Sequence, residues 1–235
     1  MVDNHQDVMA RINCGEGIPD FYARKASEGS QCHGNWSEPI YGPVLENFGT
    51  CRSIESYNYS RDENDWPKIS ECNKVAFFKY YTTSESQAIN DALYTNKHNL
   101  TDAFVGFWEA VANKFGNNSY VIGFDPINEP FPADIGLDTS LMEAGVFDSK
   151  LLAPLYAKVH EKYIAANPQS INYFETGQYP DAYLGTVNPA GFDVPPGGEI
   201  NSANHVLNDH SYCCQLGDGI CDSGEPDVSR KEDCQ

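Results

Sequence analysis

Positive charge is what this sequence has least of: 15 Lys and Arg stand against 34 Asp and Glu, a net charge of −19 over 235 residues. Such a surface repels phosphate backbones and anionic headgroups, which argues against nucleic acid or an anionic membrane surface as the main partner and favours a neutral substrate. No apolar run approaches the ~18 residues of a membrane-spanning helix, so no transmembrane segment is expected. The opening Met1-Val2-Asp3-Asn4-His5-Gln6-Asp7 is not a charged-then-apolar secretory leader. If the protein is exported, its beginning is therefore expected to lie upstream. Internal repeats, low-complexity tracts and hairpin signals are missing too, and the cysteines do not fall into a metal-finger spacing.

What is present points to an oxidising compartment. The 8 cysteines, at positions 14, 32, 51, 72, 213, 214, 221 and 234, are even in number and sit in loop-like regions, which favours disulfides. Asn35-Trp-Ser, Asn58-Tyr-Ser, Asn99-Leu-Thr and Asn117-Asn-Ser are N-glycosylation sequons. A secreted or lysosomal glycoprotein is the expectation. At 40% hydrophobic and 12% aromatic residues the chain can build one sizeable core, and its many Tyr, Phe and Trp suit a sugar- or lipid-binding cleft.

The chain then reads as alternating strands and helices. Residues 1–8 look like the end of a strand running into a loop. After the turn cluster Cys14-Gly-Glu-Gly-Ile-Pro-Asp20, a long irregular region extends to about Phe77. A loop of that length is functional or covalently pinned, and disulfides among its cysteines would pin it. Ser84 to Leu93 is a plausible helix. A stronger one has Thr101 as N-cap, Gly116 as C-cap, and Phe104, Phe107, Trp108, Val111 and Phe115 on one face. The apolar run Tyr120 to Ile127 reads as a buried parallel strand, broken by Pro130. Lys150 to Ala166 repeats the helical pattern with a stripe of Leu151, Leu152, Leu155, Val159, Tyr163 and Ile164. Ile171 to Glu175 and His205 to Tyr212 read as two further strands. Strand, helix and strand in alternation predict parallel βαβ units.

Glu129 stands where such a strand ends. In an α/β barrel the chemistry sits at the C-terminal ends of the strands, so Glu129 is a catalytic carboxylate or, failing that, a salt-bridged residue of the barrel rim. Retaining glycosidases need two carboxyl groups ~5–5.5 Å apart, one protonated and one ionised. Asn128-Glu129 supplies one of them, with an adjacent amide able to hold a sugar hydroxyl.

Five segments carry a wider resemblance: Asp3-Asn-His-Gln-Asp7, Cys14-Gly-Glu-Gly-Ile-Pro-Asp20, Phe124-Asp-Pro-Ile-Asn-Glu-Pro-Phe131, Phe174-Glu175 and His210-Ser-Tyr212. Their order and rough spacing resemble glycoside hydrolase family five, and more narrowly its endoglycoceramidase-like branch, with Asn4 in place of a Met. The resemblance implies a partial (β/α)8 TIM barrel, about strands 3 to 6, over residues 1–212. Residues 32–77 form a cysteine-containing loop insert and 213–235 an acidic, Cys-rich tail. It implies Glu129 as acid/base, Asn128 as ligand of the sugar 2-hydroxyl, and His5 with Asp7 as glycone contacts. His210 and Tyr212 resemble the sixth-strand pair and are by that resemblance expected to bind substrate. The family nucleophile is a Glu at the end of a seventh strand, expected outside this chain; Glu175 is a weak substitute.

The expected activity is retaining O-glycosyl hydrolysis between oligosaccharide and ceramide, a step of glycosphingolipid catabolism and carbohydrate metabolism. A glycolipid or oligosaccharide would be substrate, with transient contact to a lipid surface and no cofactor. A β-glucanase or a steryl or ceramide β-glucosidase of the same family is the alternative. An inactive fragment, or a noncatalytic Ca²⁺-stabilised extracellular binding protein, is the alternative of another class. The latter rests on Asp218, Asp222 and Glu225, whose oxygens alternate with Gly turns in the tail; the competing reading there is a disulfide-closed acidic loop. His33, His98, His160 and His205 are scattered and suggest no metal site.

Overall fold

Four short strands form one parallel sheet in sequence order: β1 (Val2–Asp3), β2 (Gly123–Asp125), β3 (Ile171–Phe174) and β4 (His205–Leu207). Its register pairs Val2 with Phe124, Phe124 with Asn172, and Asn172 with His205. The computed structural model describes residues 1–38, 48–177, 190–200, 202–208 and 210. Between the strands run α1 (Asp20–Ser27), the single turn α2 (Ile69–Cys72), α3 (Ser84–Tyr94), α4 (Leu100–Phe115) and α5 (Ala153–Ala166). Neighbouring parallel strands joined through helices are the βαβ pattern expected of a barrel segment.

The core forms where α4 and α5 close over the sheet. Phe124 of β2 lies 4.7 Å from the Tyr163 ring of α5 and 6.1 Å from Trp108 of α4, and Trp108 meets Tyr163 at 5.7 Å. Trp108 also donates its indole N–H to the Pro126 carbonyl at 3.1 Å, tying the helix to the end of β2. That bond satisfies the one polar atom a buried Trp brings. Backbone passes close to backbone at Gly123, where a Cβ would come 2.3 Å from the Ile171 carbonyl oxygen.

Several local expectations change. The strand is only Gly123–Asp125, with Tyr120 and Ile122 exposed, so the chain leaves the sheet well before Pro130. Helix α4 starts at Leu100 with Asn99 as N-cap; the Thr101 hydroxyl instead donates to the Leu93 carbonyl and fastens α4 to α3. Its inward stripe is Leu100, Phe104, Trp108 and Ala112, while Phe107 and Phe115 face outward. The predicted helix from Lys150 begins as a π-turn, Asp148–Leu152, with Pro154 in the first turn of α5. The Asp148 carboxylate is buried there and accepts from the Gly177 and Gly191 N–H groups, so this turn anchors the chain that follows β3.

The long insert is pinned by disulfides, as its cysteines suggest. Cys14 joins Cys72 and Cys32 joins Cys51, spanning 58 and 19 positions. In the chain-entropy account loops of these lengths contribute about 4 and about 3 kcal/mol. Cys213, Cys214, Cys221 and Cys234 lie outside the described residues, as does the rest of 213–235. All four sequon asparagines, Asn35, Asn58, Asn99 and Asn117, are exposed. No described helix is long and apolar enough to cross a membrane.

Candidate active site

Because the sheet is parallel, every strand delivers its C-terminal residues to one edge: His5 and Asp7 from β1, Asn128 and Glu129 from β2, Glu175 from β3, Asn208 and His210 from β4. There the last turns of chain are held by hydrogen bonds beyond the strands. The Asn4 N–H donates to Asp125 O at 3.1 Å and the Asn128 N–H to Asn4 O at 3.2 Å.

Glu129 sits at a strained point of the backbone, with φ of 43°. A non-glycine residue in that region costs on the order of 1–3 kcal/mol and persists only where its surroundings hold it. Here they do so from both sides. The Glu129 N–H donates to Glu175 Oε2 at 2.7 Å, and the Gln6 amide donates to the Asn128 and Glu129 carbonyls at 2.7 and 2.9 Å. Gln6 is itself fixed, its Oε1 accepting from the Met9 N–H and its carbonyl from the Asn128 amide.

The side chains form a chain of proton-bearing groups. His210 places Nδ1 2.8 Å from Glu129 Oε1 and Nε2 3.3 Å from Glu175 Oε1. Asn208 reaches the same place from β4, donating to Asp125 Oδ2 at 2.7 Å, with Glu175 Oε1 at 3.4 Å. Exposure separates the two glutamates: the Glu129 side chain is 17% exposed, that of Glu175 only 3%. Burial, reinforced by Asp125, pushes the Glu175 carboxyl up to about 9, although the Glu129 N–H pulls it the other way. Burial likewise raises Asp125 to about 6, against the pull of Asn208. Several acids crowded in a poorly solvated place cannot all ionise, and Glu175, with Asp125 beside it, is the one raised furthest.

At the mouth, His5 Nε2 lies 3.3 Å from Asp7 Oδ2, and His5 is largely exposed. Burial raises the Asp7 carboxyl, with His5 opposing. His5, Asp7 and Glu16 each bring a ligand atom within 4.8 Å of the others, a grouping able to hold a cation. His5 and Asp7 are also the pair that the family resemblance assigns to the glycone. Asn128 is nearly buried, at 5% exposure. Tyr81 lines the same side, stacked on Phe131 at 4.6 Å. Tyr212, Asp218, Asp222 and Glu225 lie outside the described residues.

The structure therefore brings Glu129, Glu175 and His210 together from three strand ends. Gln6, Asp125 and Asn208 belong with them and escape the sequence reading. Their signal was slight: a polar letter at or beyond a strand end, its partner up to 123 positions away.

A family model for cellulase, glycosyl hydrolase family 5, matches residues 72–213. The chain belongs to this family. Among family 5 relatives, an endoglycoceramidase of Cyanea nozakii is 34% identical over 212 residues, covering 90% of this chain and 37% of its own length. One of Hydra vulgaris is 28% identical, with 90% and 36% covered. The chain thus spans less than two fifths of either relative. Among solved structures, endo-glycoceramidase II from Rhodococcus sp. in its ganglioside GM3 complex superposes with a TM-score of 0.60 at 18% identity, over 92% of this chain and 41% of that one. Its unliganded form gives 0.58 at 17% identity. These likenesses place the family 5 fold, a TIM barrel, on a chain whose described residues hold four of its strands.

Proposed function

We propose that this family 5 chain carries the acid/base half of a retaining glycoside hydrolase that cleaves the bond between an oligosaccharide and ceramide. One observation carries the reading: Glu129, on a strained strand end, presents a partly exposed carboxyl to His210 while a second, buried carboxyl stands behind it. The lipid aglycone rests on the similarity to the endoglycoceramidases.

In this reading Glu129 donates a proton to the departing oxygen and later takes one from water. Asn128 meets the sugar 2-hydroxyl, and His5 with Asp7 hold the glycone at the exposed mouth. His210, expected to touch substrate, reaches Glu129 directly and orients its carboxyl. Glu175 is a poor nucleophile. A carboxyl raised to about 9 is neutral at physiological pH, and its oxygens already face the Glu129 N–H, His210 and Asn208. The attacking carboxylate is assigned to a residue outside those described. Contact with a lipid surface belongs to the same reading, because a ceramide must present its headgroup from a membrane or micelle. The two disulfides and four exposed sequons support a secreted or lysosomal glycoprotein engaged in glycosphingolipid catabolism.

The test is hydrolysis by the full-length protein of a panel of glycosphingolipids and aryl glycosides. Glu129→Gln is expected to lower kcat/KM on the glycolipid by about 10²–10⁴-fold, the range for loss of a general acid. Absence of any hydrolysis that depends on Glu129 refutes the reading.

A further inference from the structure

We propose that Glu175 and His210 form a proton relay to Glu129, in which Glu175 stores the proton that the acid/base spends on the leaving group. The proposal rests on Glu129 being the acid/base. It adds a role for Glu175, which acts through His210 and is a positioning residue rather than a catalytic one.

The geometry is a line of three groups: Glu175 Oε1, the two ring nitrogens of His210, and Glu129 Oε1, at 3.3 and 2.8 Å. A neutral imidazole has one N–H and one lone pair, so a ring between two carboxyls donates to one and accepts from the other. Glu175 Oε2 is committed to the Glu129 N–H, which leaves Oε1 to carry the proton. In one state Glu175 Oε1–H donates to Nε2 and Nδ1–H donates to the Glu129 carboxylate. In the other, Nε2–H donates to the Glu175 carboxylate and Glu129 Oε1–H donates to Nδ1. Between them the Glu175 O–H bond breaks as Nε2–H forms, and Nδ1–H breaks as Glu129 O–H forms. Two protons have each moved across one hydrogen bond, for a net transfer of one proton from Glu175 to Glu129; no electrons have moved, and the total charge is unchanged.

That last feature suits the surroundings. Facing the relay are Asp125 on β2, Asp3 and the His5–Asp7 pair from β1, Asn208 after β4, and the Tyr156 hydroxyl of α5, which accepts from the Glu175 N–H. No described Lys or Arg forms a salt bridge with Glu129, Glu175 or Asp125. An added negative charge here would be opposed by Asp125 and Asp3, and the relay adds none. Its second state, with the charge on buried Glu175 beside Asp125, is the higher of the two and is reached as the leaving group draws the proton from Glu129. The relay can hand Glu129 a proton without waiting for one from bulk water.

Two measurements on the substrate-free protein test this, and a third tests its consequence. With ¹³C-labelled glutamate, one side-chain carboxyl carbon is expected to remain protonated at neutral pH and to titrate well above the ordinary glutamate range, in step with the His210 ring nitrogens followed by ¹⁵N NMR. The signal is expected to vanish in Glu175→Gln; if that variant does not fold, the coupled titration in the wild type decides alone. In the full-length enzyme, Glu175→Gln is expected to move the alkaline limb of the kcat/KM profile to lower pH by on the order of one unit, the coupling at which two groups titrate as a pair. No glutamate protonated at neutral pH, a His210 ring doubly protonated there, or an unshifted alkaline limb overturns the relay. The spectroscopic readings need no hydrolysis, so the relay and the glycosidase reading fail separately.

Discussion

Gln6 shows how much of this site is built from residues that never meet a substrate. It is 1% exposed, and its amide bonds two consecutive carbonyls at the turn where Glu129 takes its left-handed backbone. Gln6→Ala leaves both acceptors without that donor, a loss of about 1–3 kcal/mol each in a dry place. It also frees Glu129 to relax away from His210, for which a rate loss of about 10²-fold is expected, since a displacement near 1 Å is enough. The discriminating measurement is a fall in kcat of the full-length enzyme at nearly constant KM; a change in KM alone would mean that Gln6 acts on substrate binding instead. Glu129 and Glu175 were legible in the sequence because each is an acid at the end of a strand-like run, and parallel strands collect such letters at one edge; His210 was named through the resemblance to family five. Gln6, Asp125 and Asn208 were not, because their task is to bond groups remote in the chain. A single sequence without register does not place those groups.

Helix α4 illustrates the same limit one level up. Its existence and its end at Gly116 follow from the apolar spacing and the glycine, but its exact orientation does not, because the spacing of Phe104, Phe107, Trp108, Val111 and Phe115 marks a stripe about 100° wide and not which of its residues lie deepest. Packing on Phe124 and Tyr163 selects Phe104, Trp108 and Ala112 and leaves Phe107 outside. The cap moved for a similar reason: the Thr101 hydroxyl binds Leu93 because α3 lies against it. The two aromatic neighbours should therefore behave oppositely. Trp108→Ala, which empties a fully buried site and orphans the Pro126 carbonyl, is expected to cost about 3–5 kcal/mol. Phe107→Ala, at a half-exposed site, should cost about 1 kcal/mol or less. Denaturant unfolding of the two variants checks this; equal losses would mean that the helix is rotated from the position described.

For the molecule as a whole, the buried acids and a histidine pair, His160 buried and His205 half-buried, set opposite limits on stability. Glu175 has its folded value raised from 4.5 to about 9, so its contribution is complete below the lower value and is lost as pH rises towards the upper one. Asp125, raised from 3.8 to about 6, has the same sign over a lower window. His160 and His205 lie with ring centroids 4.3 Å apart under the turn at Gly197 and Gly198. Burial lowers both, His160 from 6.5 to about 4 with His205 adding to it. Their contribution is complete above 6.5 and is lost as pH falls through the folded values. A net charge of −19 adds self-repulsion towards alkaline pH. The stability maximum is therefore expected in mildly acidic buffer. Thermal melting across pH should show Tm falling on both sides of that maximum. Glu175→Gln should flatten the alkaline side, and His160→Phe the acidic side, each without moving the other. A Tm that climbs steadily from acidic to alkaline buffer would mean that the carboxyl cluster is not buried as described, and one that falls steadily would mean the same of the histidine pair.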